Sequence, residues 1–338
     1  ALMDSVPLLC LTGQVPTHLI GTDAFQEADT LGITRSCTKH NFLVKSVDKL
    51  QRTIYQGYQI AKSGRPGPVV IDLPKDVQND EALYATNIQN FLKKNVIKRN
   101  HTINSFNKFD IEKTCQLINR SKRPIVYIGG GLINSGNLAV KQLKKFGDLS
   151  NFPVTSTLMG LGAFPASSKL FLGMLGMHGT YEANMAMHDC DLMIAIGARF
   201  DDRITGRLDM FSPNSKKIHI DIDPSSISKN IRVDVSVIGD VKKVLSLLIK
   251  SIKENKLEHP NIELWWKEIE TWRKKNSFSY KQDDKIIKPQ YVVDKLYQVT
   301  DGEAFITSDV GQHQMWAAQL YKYKYPKRWI NSGGLGAM

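Results

Sequence analysis

Residues 125–131 read Ile125-Val126-Tyr127-Ile128-Gly129-Gly130-Gly131. Four apolar residues that stop at three glycines describe a buried strand running into a turn where backbone can approach another group closely. The pattern recurs downstream. Leu192–Ile196 ends at Gly197-Ala198-Arg199-Phe200-Asp201-Asp202-Arg203, Ile218–Ile222 ends at Asp223-Pro224, and Val233–Ile238 ends just before Asp240. Helix-length segments separate these runs. The alternation predicts an α/β fold with a doubly wound parallel sheet, whose ligands bind beyond the carboxyl ends of its strands.

Working outward, the preceding segment has the same character. The apolar run Val6–Leu11 ends at Gly13 and Pro16. Val47, Leu50, Ile54 and Ala61 then share one helical face, with Ser46 placed to cap it and Gly64 and Pro66 to stop it, and Pro68–Pro74 is a short β-branched strand. Residues 1–78 therefore look like the last part of one parallel α/β domain. Residues 79–108, rich in Asn, Lys and Gln, read as a linker. Residues 109–285 form the second domain, closed by polar, Lys-rich helices over 241–276, and 286–338 open a third unit of helix, strand Ala304–Thr307 and helix. The start, Ala1-Leu2-Met3, and the end, in the glycine-rich Asn331–Met338, give the expectation of a fragment from inside a longer chain.

Lys plus Arg is 45 against 33 Asp plus Glu, a net charge of +12 over 338 residues. Residues 80–124 carry 9 basic and 4 acidic side chains and residues 241–289 carry 12 and 7, so 10 of the 12 excess charges lie in those two stretches. Neither interleaves aromatics and glycines as an RNA-binding surface does, so they read as solvated faces, and no nucleic-acid partner is expected. No apolar run approaches the length of a membrane span. Cys10, Cys37, Cys115 and Cys190 are far apart, without CxxC or His at zinc-ligand spacing, which predicts free buried thiols, a reducing cytoplasmic compartment and no metal site in this stretch.

The chemistry-bearing candidates sit where strands end. Gly129 and Gly131 begin a dinucleotide-type turn, but Asn134 stands where glycine or alanine would complete the fingerprint, which disfavours a standard NAD dehydrogenase. Asp221 and Asp223 could accept ribose hydroxyls, or Asp223 could merely cap the next helix. Arg199 and Arg203 could pair phosphates or the local aspartates. Leu172–Gly179 packs glycines among methionines beside His178, a place for an extended ligand or simply for core packing. Gly13–Pro16, Thr22–Glu27 and Lys75 follow strands of the first segment, and a partly buried Lys75 could hold a carboxylate.

Taken together, GQVPTHLIGTDAFQEAD, TKHNFLV, SGRPGPVVIDLPKDV, LGMLGMHGTYEANMAMHDCDLMIAIGARFDDRITG, HIDIDPSSI and GQHQMWAAQ resemble the signatures of the acetolactate synthase family. The resemblance implies a pyrimidine-binding domain, a central FAD-binding domain and a pyrophosphate-binding domain, here truncated at both ends. It implies decarboxylation of pyruvate on thiamine diphosphate and carboligation to a second pyruvate or to 2-ketobutyrate, the opening step of branched-chain amino-acid synthesis. Thiamine diphosphate, FAD and Mg2+ are the implied cofactors. By resemblance Phe25, Gln26 and Lys75 serve the active-site channel across a dimer interface. Gly311, Gln312 and His313 meet the diphosphate end, Gly336 the aminopyrimidine, and Met338 the apolar wedge under thiamine.

For FAD the resemblance implies Arg65, Gly129, Gly130, Gly131, Thr157, Leu158, Met174, Leu175, Gly176, Met177, His178 and Gly179. It adds Gly197, Ala198, Arg199, Asp201, Arg203, Asp221, Ile222, Asp223, Ser226 and Asp240. The family's general-base glutamate and its magnesium ligands are expected outside residues 1–338, so this stretch alone is expected to be inactive. A homodimer or tetramer with a regulatory small subunit is the implied assembly. Another thiamine-diphosphate carboligase or oxidase, or a non-catalytic FAD-binding fragment, is the alternative.

Overall fold

The computed structural model describes residues 1–83, 105–254 and 261–336. The chain divides into two compact units, residues 1–102 and 103–338.

In the first unit the chain forms β1 (Leu8–Gln14), α1 (Thr30–Arg35), β2 (His40–Leu43), α2 (Val47–Lys62), β3 (Pro68–Pro74) and α3 (Lys75–Asn79). The sheet is parallel with order β1-β3-β2. Because β3 is central, its Val69, Val70 and Ile71 are all buried. This explains the unbroken apolar run where a one-sided strand would alternate. Asp72 is also fully buried, and its carboxylate accepts from Thr12 Oγ1 at 2.7 Å and Gln14 Nε2 at 3.0 Å. Ser46 occupies the position before α2 as expected, but its side chain makes no capping hydrogen bond. Asp48 in the first turn supplies the favourable charge instead. Gly64, at φ +52, turns the chain out of the helix.

The second unit begins at α4 (Lys108–Arg120), where Asn107 and Asp110 form a reciprocal capping box. There follow β4 (Pro124–Ile128), α5 (Gly130–Asn134), α6 (Asn137–Ser150), β5 (Val154–Ser156), β6 (Phe171–Met174), α7 (Tyr181–Asp189), β7 (Leu192–Ile196) and α8 (Asp202–Thr205). Then come β8 (Lys216–Asp221), β9 (Val235–Ile238), α9 (Val241–Lys253) and α10 (Glu263–Arg273). Six parallel strands lie in the order β6-β5-β4-β7-β8-β9. Numbered from β4, this is the order 3-2-1-4-5-6, in which the direction of winding reverses between the first and fourth strands. The doubly wound sheet expected from the sequence is present.

The helices over 241–276 are less polar than expected. Val241, Val244, Leu245, Leu248, Ile249 and Ile252 of α9 are buried, and only the outward face is lysine-rich. α10 is fastened over the amino-terminal edge of the sheet. Trp265 Nε1 donates to the Pro124 carbonyl at 3.0 Å and Trp266 Nε1 to that of Asn151 at 2.8 Å, while Arg273 donates to those of Lys169 and Phe171.

The remaining elements are α11 (Pro289–Thr300), β10 (Ile306–Ser308), α12 (Gln312–Leu320) and β11 (Trp329–Asn331), the two strands pairing in parallel. Their apolar cluster of Ala318, Tyr321, Tyr323 and Trp329 also takes in Leu161, from the loop after β5, and Met174, the last residue of β6. Gly162, at φ +80, lies so close to Tyr325 that a Cβ would fall 2.1 Å from its carbonyl oxygen. Cys115 and Cys190 are buried as expected, but Cys37 is exposed; all four thiols are free. Among the described residues no helix is long and apolar enough to cross a membrane.

Candidate cofactor site

In a parallel sheet every strand delivers its carboxyl end to one edge. The loops carrying Gly129–Gly131, Thr157 and Leu158, Met174–Gly179, Gly197–Arg203, Asp221–Ser226 and Asp240 follow β4, β5, β6, β7, β8 and β9 in turn. They therefore share that edge, and the two glycine turns meet at the point where the winding reverses. Gly129 N donates to Ile196 O at 3.0 Å and Gly131 N to Gly197 O at 3.1 Å. A Cβ on Gly129 would lie 2.2 Å from Gly197 O, and one on Gly131 would lie 2.8 Å from Gly197 Cα. The glycines thus let two loops close on each other. Gly197 N continues the ladder to Ile220 O, Thr157 N to Ile128 O and Leu175 N to Ser156 O, so backbone hydrogen bonds knit the strand ends together.

Several buried polar atoms here have no partner. Ser156 Oγ and Thr157 Oγ1, on consecutive residues at the end of β5, are both enclosed and both without a hydrogen bond. Orphaned hydroxyls cost free energy unless something bound satisfies them, and a polyhydroxylated, phosphate-bearing ligand such as FAD is chemically matched to them. Tyr127 and His219 are buried and make no hydrogen bond through their side-chain polar atoms, although His219 Nε2 faces Asp221 Oδ2 at 3.7 Å. Burial first, then the negative charge of Asp201, holds the Tyr127 hydroxyl protonated far above its ordinary range, with Arg199 opposing. Phe200 packs its ring against Tyr127, Phe211 and His219. Its backbone is left-handed, φ +57, an outlier for a bulky residue, and Asn230 Nδ2 donates to its carbonyl.

The charged candidates divide. Arg199 Nη2 stands 3.5 Å from Asp201, and Arg203 Nε stands 3.7 Å from Asp202, the second pair open to solvent. Asp223 does cap: its Oδ1 accepts from Ser225 N at 3.0 Å, and Ser226 Oγ lies 3.4 Å from Oδ2. Asp221 is nearly buried and accepts from Asp223 N. Asp240 caps α9 through Lys242 N and is bonded by Ser135 Oγ. Met174 turns into the apolar cluster with Ala318 and Trp329, while Met177 is exposed.

Phe25, Gln26 and Lys75 belong to the first unit, at the carboxyl edge of its own sheet. Phe25 is 89% exposed, held out on a loop in which Asp23 and Gln26 are both left-handed. Glu27 braces that loop by accepting from Gly21 N and Ala24 N. The Gly21 bond above all, opposed by partial desolvation, keeps its carboxyl below the usual range. Arg65 donates to Ser5 Oγ at 2.8 Å and to the carbonyls of Leu2 and Met3. Gln312 and His313 are exposed on the first turn of α12, after Gly311, and Gly336 turns at φ +83. Met338 lies outside the described residues. Among the described residues no three His, Cys, Asp or Glu side chains are grouped to hold a metal ion.

The family model for the central domain of thiamine pyrophosphate enzymes matches residues 111–248, and that for their C-terminal TPP binding domain matches residues 309–338. Over the whole chain the sequence is 46% identical, across 341 residues, to the acetolactate synthase isozyme 3 large subunit of Escherichia coli. The chain belongs to the acetolactate synthase family. The chloroplastic acetolactate synthase of Arabidopsis thaliana is 45% identical across 344 residues, and the large subunit of Haemophilus influenzae 46% across 339. The chain spans 58% of the length of the two bacterial relatives and 50% of the plant one. In this family the six-stranded sheet is thus the central domain, and α12 opens the part described as TPP binding.

Proposed function

We propose that the chain works as a large subunit of acetolactate synthase, a transferase that removes CO2 from pyruvate and joins the remaining two-carbon unit to a second pyruvate or to 2-ketobutyrate. One observation carries the reading: a chain alignable throughout with acetolactate synthases places its glycine turns at the winding reversal of a six-stranded sheet, with the orphaned Ser156 and Thr157 hydroxyls at the end of the neighbouring strand β5. There FAD would be held by the loops after β4 to β9, its phosphates near the glycine turns and Arg199, its hydroxyls satisfying Ser156 and Thr157. Thiamine diphosphate, when bound, supplies the electron sink for decarboxylation. The chain's own part is to present Gln312 and His313 to the diphosphate and Gly336 to the ring. Phe25, Gln26 and Lys75 would restrict and charge the substrate channel of a partner subunit. A homodimer or tetramer with a regulatory small subunit, in the cytoplasm of a bacterium, is the assembly that fits, and Mg2+, when bound, would neutralise charge on the diphosphate.

The test is to express the reading frame that carries this sequence in a bacterium lacking acetolactate synthase. Growth without branched-chain amino acids, and acid-released acetoin from extracts given pyruvate, thiamine diphosphate, magnesium and FAD, are expected. Flavin binding without growth or acetoin would leave only a flavin-binding module.

A further inference from the structure

α12 has a feature at its far end that the proposed function does not use. Its first turn carries Gln312 and His313. Its last carries Gln319, whose Nε2 donates to the carbonyl of His178 at 2.9 Å. His178 belongs to the turn Met174–Gly179, one of the loops placed at the flavin edge. We propose that Gln319 is a positioning residue that couples the flavin loop to the helix addressing thiamine diphosphate. The inference rests on the reading that these two elements meet those two cofactors.

The turn is too tightly tied to absorb a displacement at His178. Asn184 clamps Gly176 from both sides, accepting from its N and donating to its carbonyl, each at 3.0 Å. Thr180 N donates to Met174 O, Gly179 N to Gly176 O, and Met177 N to Arg203 O. No slack is available through the glycines either, since a Cβ on Gly179 would lie 2.3 Å from Met174 O. The helix is equally stiff. From Gln319 to Gln312 it rises about 10 Å at 1.5 Å per residue. Ala318, beside Gln319, packs in the same apolar cluster as Met174, which fixes a pivot one residue from the hydrogen bond. A shift of the His178 carbonyl on flavin binding is therefore delivered to Gln312 and His313 as a tilt of a rigid rod. The donor must be an amide at this reach, and because the acceptor is a backbone carbonyl the link does not depend on the side chain at position 178.

Coupling of this kind is reciprocal. The dissociation constant of each cofactor is measured with and without the other in the holoenzyme carrying this sequence, for the wild type, Gln319→Leu and Gln319→Glu. Glutamate keeps the shape and, ionised, cannot donate. In the wild type each cofactor should tighten the other by the same factor, roughly five-fold or more; in both variants that factor should fall towards one, with unchanged far-UV circular dichroism. A second measurement needs FAD alone: amide exchange in the first turns of α12 should slow on adding FAD to the wild type and stay unchanged in Gln319→Leu. Independent binding in the wild type, or coupling and protection that survive in the variants, overturns the inference. A wild type that binds no FAD overturns the reading beneath it as well, so the two failures are told apart by the flavin titration.

Discussion

Gly129→Ala tests the junction of the two glycine turns directly. Gly129 has φ −123 and ψ −177, a conformation open to any residue, so alanine there carries no backbone penalty and the whole effect is steric. The new methyl would lie 2.2 Å from Gly197 O and 2.7 Å from Ala198 Cα. Both are backbone atoms, which cannot rotate away. Forced separation costs about 1–3 kcal/mol as overpacking, and it strains the Gly129 N to Ile196 O and Gly131 N to Gly197 O bonds, each contributing about 0.5–1.5 kcal/mol. The expected loss is about 2–6 kcal/mol. Two controls separate the causes. Gly13 has nothing within 4 Å of its would-be Cβ and Gly13→Ala should be nearly neutral, whereas Gly136 is equally open but sits at φ +95 and ψ 174, a region essentially reserved for glycine, so Gly136→Ala should lose only that backbone strain of about 1–3 kcal/mol. Urea unfolding followed by circular dichroism and by tryptophan fluorescence ranks the three, and FAD titration should show the Gly129 variant alone losing flavin. A Gly129→Ala protein as stable as Gly13→Ala would mean that the loops do not meet as described.

Arg65→Ala should loosen the segment it ties down, read as faster amide exchange at Ser5 and Val6; a flavin affinity weakened by about 1–3 kcal/mol would add the cofactor role, and an unchanged one would confine Arg65 to its loop. Burial, partly offset by the Ser212 hydroxyl, lifts the Cys190 thiol from 9.0 to about 11. The unfolded chain then ionises first, so this contribution is intact below about pH 9 and is lost as pH rises towards about 11; the urea midpoint should fall more steeply over that range in the wild type than in Cys190→Ala, and parallel slopes would contradict it. Glu27 has the opposite sense: its lowered carboxyl braces the Phe25 loop above the ordinary carboxylate value and releases it as pH falls through its folded value. The protection of the Gly21 amide, relative to its intrinsic exchange rate at each pH, should fall in acid in the wild type and lose that pH dependence in Glu27→Gln.

Three of the strands that sequence reading marks are buried on both faces, whereas β1 and β10, also marked, are partly exposed. Pro68–Pro74, Ile125–Ile128 and Leu192–Ile196 announce themselves because burial on two sides demands an unbroken apolar run. β2, β5, β6 and β11 escaped it. Each is three or four residues long, and β6 contains Gly173. The loops after the long strands were legible for the same reason as the strands. Residues that act on those loops from beneath were not: Tyr127 reads as one more apolar strand residue, and the left-handed backbone of Phe200 has no glycine or asparagine to signal it. Asp223 stood open between ribose contact and cap, and only the geometry shows that its carboxylate caps.

The winding reversal also sets when the cofactor edge can exist during synthesis and folding. After Ile128 the chain runs through α5, α6, β5, β6 and α7 before β7 returns to lie beside β4, with Ile128 opposite Ile196. Contacts between such distant segments form late, because loop closure must precede them. An emerging chain that has made β4, β5 and β6 holds one glycine turn with nothing to close against. If this edge holds FAD as proposed, flavin capture has to wait for β7, and a change in flavin fluorescence on binding would time the insertion of that strand.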